Sequence, residues 1–267
     1  MRLPPGYEEL IHVHQAHENG ECARLNRSIY GLKQSPRQWY QRLTGFLIPL
    51  GFVTAYFDLC VLIHVDNQVI IAIYVDDITM AGPNTAKRED LNKLLLAEFK
   101  LSDLGPLNWL LGIQIQWRDD NNSVTLSQQT YIDQILLRFG MDTCNTVHLP
   151  LNPNIKLLKA QGSDDLADVS LYQQIIGSLM YLVIGSRPDL AFTVSALSQF
   201  ASEPTKDHMG VLKQVLRYLK GIRDLKLIYT KPTDNQLTLV GYSDADYGGD
   251  RNDPYLIEGG RWYREVA

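Results

Sequence analysis

The chain has 267 residues, 45% of them hydrophobic and 21% charged, with a formal net charge of −5. These values are ordinary for a globular protein of one large or two small domains, and they leave any nucleic-acid contact to a local basic surface. Cys22, Cys60 and Cys144 are scattered without a Cys-x-x-Cys pair, so a reduced compartment without structural zinc is expected. No apolar run approaches the roughly 18 residues of a membrane helix. Met1–Gly6 lacks the apolar stretch of a signal peptide. The expectation is an intracellular, soluble protein.

In chain order, residues 9–14 have extended, apolar character, and His12 and His14 share a face there, with His17 nearby. A metal site would need a third or fourth ligand at credible spacing, so these histidines read as incidental to an exposed hairpin. Between Glu21 and Asp58 no acidic residue occurs, while Arg24, Arg27, Lys33, Arg37 and Arg42 are interleaved with Tyr30, Trp39 and Tyr40. Cations for phosphates and aromatics for bases are what a nucleic-acid groove requires. A solvated basic helix face has the same composition.

Pro36 suits the first turn of a helix, expected over 37–46. Strand character follows at 61–65 and a hairpin at 69–82, ended by Pro83-Asn84. A helix over 87–99 places Leu91, Leu94, Leu95 and Phe99 on one stripe. Residues 108–117 and 123–127 read as a second hairpin across Asp119-Asp120-Asn121-Asn122, then 131–139 as a helix with Ile132, Ile135, Leu136 and Phe139 inward. Residues 145–168, with Pro150, Pro153 and Gly162, read as a linker or extended crossing. Helices at 170–185, 188–201 and 207–220 precede strands at 225–230 and 237–243. Tyr131, Tyr172, Tyr181 and Tyr218 sit at helix-face spacing and read as core or core-edge.

The first of these hairpins carries the most chemistry. Asp76 and Asp77 lie between the apolar runs Val69–Ile73 and Ile78–Met80, so its turn places two carboxylates beside a hydrophobic layer. At about 4 Å two like charges repel by roughly 4 kcal/mol at an effective dielectric of about 20. A hairpin meant only to turn would favour Asn-Gly or Asp-Gly. Paired carboxylates become favourable with divalent cations between them, as in two-metal nucleotidyl transfer. A bare Asp-Asp pair is also compatible with a solvated acidic turn.

Tyr30-Gly31-Leu32-Lys33-Gln34-Ser35-Pro36-Arg37-Gln38-Trp39-Tyr40 and Tyr74-Val75-Asp76-Asp77 together resemble the reverse transcriptase of copia-type LTR retrotransposons. Asp103-Leu104-Gly105 with Leu110-Leu111-Gly112-Ile113 is similar to the family's stretch after the catalytic hairpin. Ile176–Leu182, Ser186-Arg187-Pro188-Asp189 and Leu216–Gly221 resemble the connection that follows the polymerase. Gly241-Tyr242-Ser243-Asp244-Ala245-Asp246 resembles the opening strand of its ribonuclease H domain.

The resemblance implies an α+β fold: an antiparallel palm-type sheet with packed helices, a helical thumb and connection, and a ribonuclease H-like strand stub. The implied layout is a partial palm at 1–105, a thumb-like region and linker at 106–168, a connection at 169–236 and a truncated ribonuclease H start at 237–267. It implies RNA-directed DNA polymerase activity in the parent protein, with Asp76 and Asp77 as catalytic carboxylates and ligands of Mg²⁺ or Mn²⁺. Gly31, Lys33, Gln34, Arg37 and Tyr74 would face nucleotide and template, Leu111 and Gly112 would grip the primer, and Asp244 would be a ribonuclease H remnant. The implied partners are an RNA template, a DNA primer or RNA–DNA hybrid, and deoxynucleotide triphosphates.

Three departures accompany the match. The family's third catalytic carboxylate belongs to a strand upstream of Pro4-Pro5-Gly6-Tyr7-Glu8, and neither Asp58 nor Asp66 matches its position. The family has an aromatic residue where Leu110 stands, and after Asp253 the sequence leaves the pattern. A catalytically inactive remnant that only binds nucleic acid is therefore the alternative reading. Its sheet is expected to have an exposed apolar edge at the hairpin and marginal stability.

Overall fold

The computed structural model describes residues 28–29, 31–118, 122–152, 154–155, 157–162, 165–232, 239–244 and 261–266. The histidines at 12, 14 and 17, Arg24, Arg27, Tyr30, Asp119, Asp120 and Asp246 lie outside them. The chain is a mixed α and β protein that divides into two compact units, Met1–Gly105 and Pro106–Ala267. No helix among the described residues is long and apolar enough to cross a membrane.

In the first unit, helix α1 (Ser35–Leu47) starts with Pro36 in its first turn and turns Leu43, Thr44 and Leu47 inward. Four antiparallel strands follow, β1 (Val53–Thr54), β2 (Val61–His64), β3 (Val69–Tyr74) and β4 (Asp77–Ala81), in the order β1-β2-β3-β4. Strand β4 ends that order among the described residues. Along β3 burial alternates, with Val69, Ile71 and Ile73 inside and Ile70 and Tyr74 outside, the two-residue period of a sheet with one covered face. Helix α2 (Thr85–Glu98) is capped by the Asn84 side chain, which accepts from the Lys87 N–H at 3.2 Å. Leu91 and Leu95 join Leu43, Leu47, Phe52, Leu62, Val69, Ile71 and Ile73 in one core. Leu94, expected on the same stripe, is 48% exposed, because it falls off the arc that Leu91 and Leu95 define.

The second unit begins with β5 (Trp109–Leu110), β6 (Ile113–Trp117) and β7 (Ser123–Ser127), joined by β8 (Leu227–Thr230) into another antiparallel four-stranded sheet. The strand expected over 108–117 is thus two strands, broken by a tight turn at Leu111-Gly112 where Leu110 pairs with Ile113. Between β7 and β8 lie helices α3 (Gln129–Arg138), α4 (Val169–Gly185), α5 (Ala191–Ser198) and α6 (Lys206–Gly221). The helix expected over 188–201 is a single 3₁₀ turn at Pro188–Leu190 followed by the shorter α5.

Ile132, Ile135 and Leu136 of α3 share one core with Tyr172, Leu179, Leu182, Val194, Leu212, Val215 and Leu219. Segment 144–149 is pinned along α6 by long side chains three residues apart. Lys220, Arg217 and Gln214 donate to the carbonyls of Cys144, Asn145 and Leu149 at 2.6, 2.7 and 3.1 Å. These bonds satisfy carbonyls that an extended crossing would otherwise leave to water. Strands β9 (Leu239–Asp244) and β10 (Arg261–Val266) pair antiparallel with each other.

Candidate nucleic-acid and metal site

Tyr74 pairs directly with Asp77 across the β3–β4 hairpin, leaving Val75 and Asp76 as a two-residue turn. Asp76 is therefore at the tip and Asp77 opens β4, both exposed to solvent. Val75 has φ = +52°, left-handed backbone that a β-branched residue adopts only under strain, costing on the order of 1–3 kcal/mol. Two-residue hairpins need positive φ at the first central position because that twist matches the strands, and Gly or Asn usually supplies it. Here valine is held there. The indole N–H of Trp39, on α1, donates to the Val75 carbonyl at 2.8 Å. The neighbouring Tyr40 hydroxyl donates to the Leu59 carbonyl at 2.8 Å. Burial, and then the nearby Cys60 and Asp58, push the Tyr40 hydroxyl pKa up, so it stays a donor.

The segment before α1 is a compact turn. Gly31 sits at φ = +91°, and Ser35 ties back to the Ile29 carbonyl through its hydroxyl at 2.6 Å. Lys33, Gln34 and Arg37 are exposed, as is Tyr74. Arg42, a member of the basic run, is instead engaged with Glu98 of α2 and lies 5.9 Å from the Phe99 ring centre.

Leu111 and Gly112 form the second two-residue turn, at φ = +50° and +74°. The Tyr181 hydroxyl of α4 donates to the Leu111 carbonyl, and a Cβ on Gly112 would stand 3.1 Å from that hydroxyl. These two residues belong to the second unit, and Asp76 and Asp77 to the first. Asp244 ends β9 and pairs with Arg261.

Sequence reasoning gave Trp39 no part beyond the aromatics of the basic run, and placed Tyr181 in the core or at its edge. Tyr181 is 38% exposed, and its hydroxyl holds a hairpin. The only sequence signal for either contact is an aromatic donor, because a bond to a distant carbonyl has no periodicity.

Asp76 and Asp77 offer hard oxygen donors exposed to water. That suits Mg²⁺ or Mn²⁺, which is commonly held by one or two carboxylates while keeping waters or substrate phosphates as its other ligands. Among the described residues no group of three His, Cys, Asp or Glu side chains is gathered, so no closed cage is formed by them.

The first unit thus sets adjacent carboxylates on the open tip of a hairpin in an antiparallel four-stranded sheet that shares its core with two helices. The model of the reverse transcriptase (RNA-dependent DNA polymerase) family matches residues 1–153. Over 259 residues the chain is 34% identical to the Pol polyprotein of transposon TNT 1-94 of Nicotiana tabacum, covering 94% of this chain and 19% of that protein. It is 36% identical over 255 residues to the Pol polyprotein of transposon RE1 of Arabidopsis thaliana, covering 95% and 17%. A putative transposon Ty5-1 protein of Saccharomyces cerevisiae is 33% identical over 237 residues, covering 88% of this chain and 76% of that one. The chain belongs to the reverse transcriptase family of copia-type retrotransposon Pol polyproteins. It spans less than a fifth of the length of the two plant polyproteins. No solved structure matches it.

Proposed function

We propose that this chain is the palm-to-connection portion of an RNA-directed DNA polymerase, in which Asp76 and Asp77 supply two of the metal-binding carboxylates. The observation that carries this reading is the two-residue hairpin tip, where strained Val75 is held by Trp39 and both aspartates face solvent. Backbone strain of this kind persists where the surroundings over-determine it, and it concentrates at functional sites. When bound, a divalent ion would neutralise charge on the phosphoryl group being transferred.

The protein's own contribution is to hold Asp76 and Asp77 in place and to present Gly31, Lys33, Gln34, Arg37 and Tyr74 to template and incoming deoxynucleotide. Leu111 and Gly112 serve as the primer grip, and residues 237–267, with Asp244, as the start of a ribonuclease H domain. Residues 1–105 act as palm, 106–168 as thumb-like region and linker, and 169–236 as connection. The partners are an RNA template, a DNA primer or RNA–DNA hybrid, and deoxynucleotide triphosphates.

A second reading is a chain that binds nucleic acid without polymerising, favoured by the observation that among the described residues no third His, Cys, Asp or Glu side chain gathers with Asp76 and Asp77. Primer extension on poly(rA)–oligo(dT) with Mg²⁺ or Mn²⁺ separates the two. Extension by the native chain, abolished by Asp76→Asn with Asp77→Asn, supports the polymerase. Hybrid binding that weakens steeply with salt, without extension, supports the binding-only remnant.

A further inference from the structure

The Val75–Asp76 peptide has two features that together exceed what a turn needs. Its first residue is a β-branched side chain at φ = +52°, and its carbonyl is captured by an indole from 36 residues upstream. The indole is itself fixed from a second direction. The Trp39 ring meets Phe99 edge-on, with centroids 5.5 Å apart and planes at 81°, and Phe99 meets Phe46 in the same way at 5.4 Å and 85°. Phe99 follows α2, where its N–H bonds to the Leu95 carbonyl at 2.9 Å. Thus α1 and the end of α2 hold the donor, and the donor holds the peptide.

From this arrangement we infer that Trp39 is a positioning residue for the Asp76–Asp77 pair. The inference rests on the reading of those aspartates as metal-binding carboxylates. A flip of the 75–76 peptide would keep φ positive at Val75 but carry Asp76 to positive φ, exchanging one hairpin turn type for the other. Without a fixed Val75 carbonyl, the tip that bears Asp76 therefore has two conformations in place of one. The indole N–H can bond to only one of the two orientations, the one that presents the Val75 carbonyl to α1. Trp39 acts through that carbonyl, and its polar contact lies on the turn backbone next to the carboxylates.

Trp39→Phe tests this, because it keeps the aromatic contact with Phe99 and removes the N–H. With the full chain labelled with ¹⁵N, amide exchange at residues 75–78 should rise about fivefold, the factor one hydrogen bond of ordinary net strength supplies. Mn²⁺ affinity, read by electron paramagnetic resonance, should fall by about the same factor. Adding Val75→Gly, which takes positive φ without strain, should return both towards native values. In the native chain the Trp39 indole N–H should exchange more slowly than that of the exposed Trp109, a measurement that needs no variant to fold.

Native-like exchange and native-like Mn²⁺ affinity in Trp39→Phe would overturn the inference. So would faster exchange with unchanged Mn²⁺ affinity, or a double variant no better than Trp39→Phe. If Asp76→Asn with Asp77→Asn binds Mn²⁺ as the native chain does, the metal reading fails, and turn exchange alone then decides whether Trp39 holds the turn.

Discussion

Replacing Arg187 with Met tests how much of the second unit depends on one buried charge. The Arg187 side chain is 1% exposed, and its guanidinium forks onto Asp189, Nε to Oδ1 at 2.9 Å and Nη2 to Oδ2 at 2.7 Å. The cation lies 6.0 Å from the centre of the Tyr218 ring, whose hydroxyl also donates to Asp189 at 3.2 Å. Met fills most of the space of the stem, so the change removes charge and donors more than volume. Breaking a buried ion pair costs about 3–5 kcal/mol, because the remaining charge is left without its partner. Asp189 is 29% exposed and water reaches it, which places the cost at the lower end, about 3 kcal/mol. For a domain of this size that is a fall of about 6–12 °C in Tm. Thermal and urea unfolding followed by circular dichroism measure it, with Asp189→Asn closing a double-mutant cycle. A loss under about 1 kcal/mol, or effects of the two changes that simply add, would refute the reasoning.

Two further outcomes follow from the second unit. Gly185 closes α4 against the buried Gln128 side chain, whose Oε1 accepts from the Ser186 hydroxyl at 2.8 Å. Gly185→Ala gains about 0.5–1 kcal/mol of helix preference but forces Gln128 from its site, so urea denaturation should show a net loss of about 1–2 kcal/mol. The loss should shrink in a Gln128→Ala background, and a Gly185→Ala chain as stable as native would rule out the clash. Alkali is the other lever. Burial pushes the Tyr172 hydroxyl well above its ordinary pKa, and burial followed by the Asp189 carboxylate pushes Tyr218 up. Both folded values exceed the unfolded value of 10.0, so the unfolded chain releases these protons first. Stability should therefore be intact below pH 10 and fall as pH rises through it, less steeply in Tyr172→Phe. A urea midpoint flat from about pH 9 to 11 would sink this account.

Much of the fold is written in local pattern. The runs Val69–Ile73 and Ile78–Met80 pair as a hairpin, and Asn84 starts α2 because a side-chain oxygen there satisfies an otherwise free N–H. Helices at 169–185 and 206–221 match their apolar periodicity to within a residue at each end. Pattern fails where a turn is made by residues that do not advertise one. Leu111 reads as strand, and Gly112 alone is too weak a signal to break 108–117 in two, yet Leu110 and Ile113 face each other. The two-residue strand Val53–Thr54 is too short to show a period. Pro188 permits a helical turn at its start, and the 3₁₀ geometry that follows brings Asp189 round onto Arg187.

The same division runs through the candidate site. Its chemical groups, Asp76 and Asp77, are visible as letters, but their support is not. Val75 and Leu111 both occupy left-handed backbone at the tips of two-residue hairpins. Each carbonyl accepts a bond from an aromatic side chain, Trp39 lying 36 residues before one and Tyr181 lying 70 residues after the other. The carbonyl between the two central residues of such a turn lies off the hairpin ladder, where water or a donor from outside the hairpin can meet it, and at both tips an aromatic side chain does so. In both tips an unfavourable backbone and a distant aromatic donor therefore form one unit, and neither half is interpretable alone. The strain explains the donor, and the donor explains how valine and leucine stand where glycine or asparagine would cost less.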